Sequence, residues 1–180
     1  MRAQKRLLRF LLYTTGLYLS WFFIREFWLS SIDLWLTYRI ADASAWLLSV
    51  FGYHTYTYHV GHSVETMGSM IQINGLDVVS IGPPCNGMTL MALFTGFVVA
   101  FPGPVLKKLI FIPLGLLAIN LLNMVRVTAL ALNSLYYYQT LDFNHKYTFT
   151  VIVYAAVFAL WMLWVKKFSN LNNYVSPSTV

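Results

Sequence analysis

The side chain with the most evident chemistry in this 180-residue chain is Cys85, the only cysteine. It follows Pro83-Pro84 and precedes Asn86-Gly87, where a helix is predicted to start. A thiol at a helix N-terminus meets unpaired backbone N–H groups and the positive end of the helix dipole, and both favour the nucleophilic thiolate. Cys85 is therefore a candidate nucleophile. The alternative is a small buried apolar residue.

Arg126 lies inside an apolar segment, where a charged side chain costs about 2.5 kcal/mol or more to insert into a membrane. Asn120, Asn123 and Arg126 recur at every third residue and so share one helix face. The two asparagines predict a polar stripe that faces the protein interior. The alternative is an arginine that extends its head group to the membrane surface.

His145 follows Asp142 and Asn144 in the polar stretch between the last two apolar segments. A histidine beside a thiolate can hold its proton and deliver it to a leaving amine. With Arg126 stabilising an oxyanion, the cysteine and the histidine would support acyl transfer from a peptide. The alternative is an interfacial polar residue beside Lys146.

The composition excludes a soluble cytosolic enzyme. Hydrophobic residues make up 58% of the chain and charged residues 10%, against about 25% charged residues in an average globular protein. A single cysteine also excludes a domain held together by its own disulfides. We therefore interpret the net charge of +6 as a sign of membrane topology and predict no nucleic-acid partner.

The predicted fold class is an all-α polytopic membrane protein, organised as one membrane domain over residues 1–180. Four apolar segments approach the length of about 20 residues that a bilayer requires, and they cover residues 7–24, 87–101, 109–132 and 147–165. The first is followed by bulky aromatics and offers no small-residue cleavage site, so it is interpreted as a retained helix rather than a signal peptide. Residues 28–51 are predicted to form an interfacial helix, and residues 169–180 a flexible tail.

Basic residues predict the orientation, because Lys and Arg that flank spans accumulate on the cytoplasmic side. They cluster at the N-terminus and in two lysine pairs: Arg2, Lys5, Arg6 and Arg9, then Lys107-Lys108, then Lys166-Lys167. Four spans with both termini inside place all three clusters in the cytoplasm and the candidate site outside. If residues 28–51 cross the bilayer instead, the site changes sides.

A small extracytoplasmic β-hairpin element is predicted over residues 52–84. Residues 53–60 alternate as a strand does, and residues 70–73 and 76–81 flank Asn74-Gly75, a strong two-residue hairpin signal. This element carries a possible metal cluster of His54, His59, His62 and Glu65. In a strand His54 and His59 would point to opposite faces, so no metal and no cofactor are predicted.

The candidate residues lie in strings that resemble the exosortase/archaeosortase family. The strings are Pro83-Pro84-Cys85-Asn86-Gly87-Met88 and Asn123-Met124-Val125-Arg126-Val127, followed by His145. The resemblance covers residues 73–165 and implies a multi-pass cysteine transpeptidase, with Cys85, Arg126 and His145 at the family's proposed catalytic positions. Asn86, Asn120 and Asn123 are taken as supporting residues. Many members have Ser or Ala where this chain has Asn86.

The resemblance also implies the substrates, which are exported proteins ending in a short motif, a transmembrane helix and a basic tail. The prediction is an enzyme of the bacterial cytoplasmic membrane that cleaves these signals on the extracytoplasmic side and transfers the product to an envelope amine. Membrane lipids are its other predicted partners. Hydrolysis uses the same residues. The alternatives are a membrane scaffold that binds a partner helix and a transporter subunit with Arg126 in an anion pathway.

Overall fold

The computed structural model describes residues 16, 30–61, 67–101 and 103–168. Residues 30–168 of this part form four helices and three strands: α1 Ser30–Val50, β1 Thr55–Val60, β2 Gly68–Ile73, β3 Leu76–Ile81, α2 Met88–Ala100, α3 Val105–Tyr136 and α4 Tyr138–Phe168. The predicted 7–24 span, apart from residue 16, and the predicted 169–180 tail lie outside the described residues. The described part is mostly helical, as expected.

Helices α3 and α4, of 32 and 31 residues, are each long and apolar enough to cross a membrane. At 1.5 Å per residue they measure about 48 and 46 Å, against a hydrocarbon core of about 30 Å. Helix α2 has 13 residues and is only about 20 Å long. The described residues therefore contain two helices of spanning length where the sequence predicted three. The difference arises because the predicted 87–101 segment is itself short of about 20 residues, and α2 loses one more residue at each end, to the left-handed Gly87 and to the extended Phe101.

Helices α2, α3 and α4 share an apolar core. Its buried members are Leu90, Phe94 and Val98 from α2, Phe111 and Ile119 from α3, and Val153, Val157 and Trp164 from α4. Phe111, near the start of α3, packs against Trp164, near the end of α4, with ring centroids 5.1 Å apart. These two helices are therefore antiparallel, and the pairs Lys107-Lys108 and Lys166-Lys167 lie at the same end of the bundle.

The strands form an antiparallel sheet in the order β1-β2-β3. Asn74 and Gly75 connect β2 to β3 with φ values of 53° and 83°, as a type I′ turn requires. The hairpin predicted at this position is confirmed, and β1 adds a third strand to it. One sheet face packs against α1 and the second half of α3 in a further core, formed by Ile40, Ala41, Ala45, Leu48, Ile71, Ile73, Val78, Ile81, Val127 and Ala131.

Helix α1 covers most of the predicted 28–51 helix. Its buried residues recur at helical spacing along one side, and they are Asp33, Thr37, Ile40, Ala41, Ser44, Ala45 and Leu48. This side faces the sheet and α3, and the Ser44 hydroxyl lies 3.4 Å from the Met124 carbonyl oxygen. Trp35 and Trp46 remain exposed. The location of α1 in the membrane interface stays a prediction.

Candidate active site

Cys85 lies in a short turn where the sheet meets the helix bundle. Residues Pro83–Cys85 form one 3₁₀ turn between β3 and α2, and the Cys85 N–H donates to the Gly82 carbonyl at 2.9 Å. Two prolines restrict the backbone before the cysteine. Gly87 then takes its left-handed conformation with Asn123 packed over it, so a side chain there would be strained. The thiol is thus held just before the start of α2.

His145, in α4, lies next to Cys85. The Cys85 Sγ and the His145 Nε2 are 3.5 Å apart, although the residues are separated by 60 positions in the chain. Both side chains are half-buried. His145 lies in a π-helical turn of α4, Asn144–Thr148, and such turns are rare and frequently occur at functional sites.

One hydrogen bond to α3 and two within α4 hold this π-helical turn in place. Asn144 Nδ2 donates to Asn133 Oδ1 at 2.8 Å, and the Thr148 hydroxyl donates to Asn144 Oδ1 at 2.9 Å. The Thr150 hydroxyl donates to the His145 carbonyl at 3.1 Å. Sequence reasoning missed this anchoring. Its only local signal is an asparagine directly before the histidine.

The supporting asparagines of α3 have different surroundings. Asn123 is fully buried and donates from Nδ2 to the Cys85 carbonyl at 2.9 Å, while its buried Oδ1 has no hydrogen-bond partner. Asn120 lies one turn earlier, and its Nδ2 contacts the Met91 sulfur at 3.6 Å. Of the two, Asn123 bonds to the cysteine residue itself.

Arg126 lies one turn after Asn123 in α3. It lines a pocket of about 340 Å³ between α2 and α4. Pro84 and Gly87, which flank the cysteine, line this pocket too, together with Thr150 and Tyr154 of α4. Among the described residues no carboxylate forms an ion pair with Arg126, and its Nε is buried without a hydrogen-bond partner. The arginine is close enough to His145 for their charges to interact. Its hydrogen-bonding capacity is therefore open to a ligand.

Asn86 connects the cysteine turn to α1. This fully buried amide donates from Nδ2 to Asp33, to both its carbonyl oxygen and its carboxylate, and lies 3.1 Å from the Thr37 hydroxyl. Its Oδ1 accepts the N–H of Met88, the first residue of α2, at 2.9 Å, and so satisfies one of the backbone donors that the helix leaves free. Sequence reasoning missed Asp33 as part of the site, because an acid in an aromatic helix was interpreted only as an obstacle to membrane crossing.

The possible metal cluster is only partly described. His54 and His59 are exposed, and the His59 ring packs on Tyr38 with centroids 3.9 Å apart. His62 and Glu65 lie outside the described residues. In the part of the chain that the structure covers, no three His, Cys, Asp or Glu residues are grouped so as to hold a metal ion.

The model of a family described as transmembrane exosortase matches residues 2–165, which include every residue of the site described above. No curated protein and no solved structure matches the chain.

Proposed function

This chain belongs to the transmembrane exosortase family, and on that premise we propose that it is a cysteine transpeptidase acting on C-terminal sorting signals. Family membership also confirms the resemblance seen in the sequence. The proposed substrates are exported proteins ending in a short motif, a transmembrane helix and a basic tail. The observation that carries the proposal is the 3.5 Å approach of Cys85 Sγ to His145 Nε2.

In the first half of the proposed reaction, the Cys85 thiolate attacks the carbonyl carbon of the scissile peptide bond. The carbonyl oxygen becomes an oxyanion, and Arg126 stabilises it by its charge and its N–H donors. When the intermediate collapses, the C–N bond breaks and the leaving amine takes the proton that His145 holds. The products are a thioester on Cys85 and a released helix with its basic tail.

In the second half, an acceptor amine attacks the thioester carbonyl. His145 takes the proton of the amine, the C–S bond breaks, and the Cys85 thiolate is regenerated as the new amide leaves. Water can replace the amine and produces a free carboxylate through the same steps. The identity of the acceptor therefore decides between transfer and hydrolysis.

The position of the site along the helix bundle supports action at the extracytoplasmic surface of the membrane. Arg126 lies about 27 Å along α3 from Lys108, close to the thickness of a hydrocarbon core of about 30 Å. Lysines at helix ends favour the cytoplasmic side, so the site would open at the extracytoplasmic face of a bacterial cytoplasmic membrane. A multi-pass arrangement with both chain termini in the cytoplasm is part of this proposal.

The test compares the wild-type strain with one carrying Cys85→Ala at equal membrane levels of the protein. Mass spectrometry of envelope proteins then measures which C-terminal tails are retained. We expect tails that the wild type removes to remain intact in the variant, because the nucleophile is missing. Identical processing in both strains would rule out the enzyme and favour the scaffold, for which Cys85→Ser should keep full function.

A membrane scaffold that binds a partner helix through the stripe of Asn120, Asn123 and Arg126 has less support from the structure. The amide Nδ2 of Asn123 is bonded to Cys85, and that of Asn120 contacts Met91. These donors are therefore occupied within the chain, and a partner helix would have to displace them.

A further inference from the structure

A larger pocket, of about 880 Å³, adjoins the site on the side of the sheet. One wall is Asp77 to Ser80 of β3, and the other is formed by Ser134 of α3 and Gln139 of α4. His145 lines it as well. We name this space the outer cleft. Its volume falls within the range of about 300–1,000 Å³ that is typical of ligand-binding sites.

The outer cleft runs along the free edge of β3. In the sheet order β1-β2-β3, this strand has only β2 as a described neighbour. Four consecutive residues of β3, Asp77 to Ser80, line the cleft, and a bulge opposite Ile71 and Gln72 interrupts the regular alternation of this strand. Met70 of β2 lines the cleft as well, so the cleft extends along the edge strand and reaches its neighbour. An unpaired edge presents N–H and C=O groups to any extended chain that reaches it.

The direction of β3 fits the direction that a substrate must take. The strand runs from exposed Leu76 at the hairpin turn to buried Ile81, four residues before Cys85. A substrate must approach Cys85 with the C-terminal end of its acyl segment leading. An extended segment that enters at the hairpin end and runs alongside β3 has this direction, and it pairs in the parallel sense.

The charges in the outer cleft indicate which substrate side chains it favours. Asp142 is paired with Lys146 at 2.7 Å. The Asp77 carboxylate accepts only neutral donors, the Tyr58 hydroxyl at 2.9 Å and the Gln72 amide at 2.8 Å. One negative charge in the cleft is therefore not neutralised by a described cation. It favours a neutral or basic side chain over an acidic one at the position opposite Asp77.

We propose that the outer cleft binds the segment of the substrate immediately N-terminal to the scissile bond, as an added parallel strand on β3. This inference rests on the proposed function and specifies how its substrate is recognised. Hydrogen bonds to the backbone of β3 supply affinity for any substrate sequence. Every second side chain of the substrate segment faces α3 and α4, and these side chains supply specificity. A segment of about six residues matches β3, which is about 20 Å long.

The first experiment fills the cleft with Ser134→Trp. Ser49→Trp is the matched control, because Ser49 is exposed near the end of α1 and outside the cleft. Two quantities are measured, the removal of C-terminal tails in the host and the rate at which iodoacetamide alkylates Cys85, the only cysteine. We expect Ser134→Trp to reduce tail removal at least tenfold with an unchanged alkylation rate, and the control to match the wild type in both. Gln139→Trp, at an exposed position on the same wall, provides an independent second variant.

The second experiment tests strand pairing directly. Ser80→Cys is introduced together with Cys85→Ala, and single cysteines are placed at successive positions before the mapped cleavage point of a processed protein. Disulfides at every second position are expected, because alternate side chains of a strand share one face. Absent or non-alternating disulfides would overturn the strand, and normal tail removal in both tryptophan variants would overturn the cleft. If the wild type itself removes no tails through Cys85, the proposed function fails instead.

Discussion

Arg126 and Asn123 lie one turn apart in α3, and the site uses them differently. Asn123 is committed to the Cys85 carbonyl and so fixes the backbone of the nucleophile. Arg126 has a buried Nε without a partner and lines the pocket beside the cysteine turn. An unpaired buried donor costs free energy in the resting protein. A developing oxyanion would recover that cost, which is why we assign Arg126 to the transition state.

Arg126→Lys tests this assignment at the scale of one residue. The substitution keeps the positive charge but removes the planar, forked set of donors. We expect the rate of tail removal to fall about 10²–10³-fold, the range found when an oxyanion donor is lost. The control is Arg39→Lys, because Arg39 is exposed on α1 with its guanidinium 5.6 Å from the Trp35 ring centroid. Wild-type rates in Arg126→Lys, measured by mass spectrometry over time, would remove Arg126 from the oxyanion site.

At the scale of elements, the site depends on how α1, the cysteine turn and α4 meet α3. Helix α1 holds the turn through Asp33 and Asn86, and α4 is held by the Asn133–Asn144 bond. None of these contacts involves the reacting atoms. They determine where the thiol and the imidazole lie, and a displacement of about 1 Å can cost about 10²-fold in rate.

Asn86→Ala tests the connection between α1 and the turn. It removes the acceptor of the Met88 N–H and leaves the buried Asp33 and Thr37 without this amide. We expect a loss of about 1–3 kcal/mol in stability, the usual cost of an unsatisfied buried polar group, together with slower tail removal. Asn120→Ala is the control, since that amide contacts only a methionine sulfur. Thermal unfolding in detergent measures the difference, and equal melting temperatures for the two variants would contradict the role of Asn86.

At the scale of the whole molecule, two cores meet at the site. The bundle core of α2, α3 and α4 extends toward the lysine pairs, and the other core joins α1, the sheet and the second half of α3. Helix α3 belongs to both cores. In the proposed topology its two ends lie at opposite surfaces of the membrane.

The orientation can be tested with single cysteines in a Cys85→Ala background. Asn74→Cys lies in the exposed hairpin turn, and Lys107→Cys lies in the exposed first turn of α3. Because basic residues favour the cytoplasm, a membrane-impermeant maleimide should label position 74 in spheroplasts and position 107 only after permeabilisation. The reverse pattern would place the site in the cytoplasm and contradict action on exported proteins.

The features that the sequence by itself determined are those set by near neighbours. Asn74-Gly75 predicted the hairpin because both positions require positive φ, and long, mostly apolar segments predicted α3 and the apolar part of α4. Cys85, Arg126 and His145 could be nominated by residue type, and membership of the family is likewise readable from the sequence.

Only the tertiary structure decided how these parts meet. The 3.5 Å approach of Cys85 to His145, the role of Asp33 and the outer cleft all join residues far apart in the chain. Local propensity and hydrophobic periodicity carry no information on such contacts. They depend on which helix faces pack together, and that packing is settled by the whole chain at once.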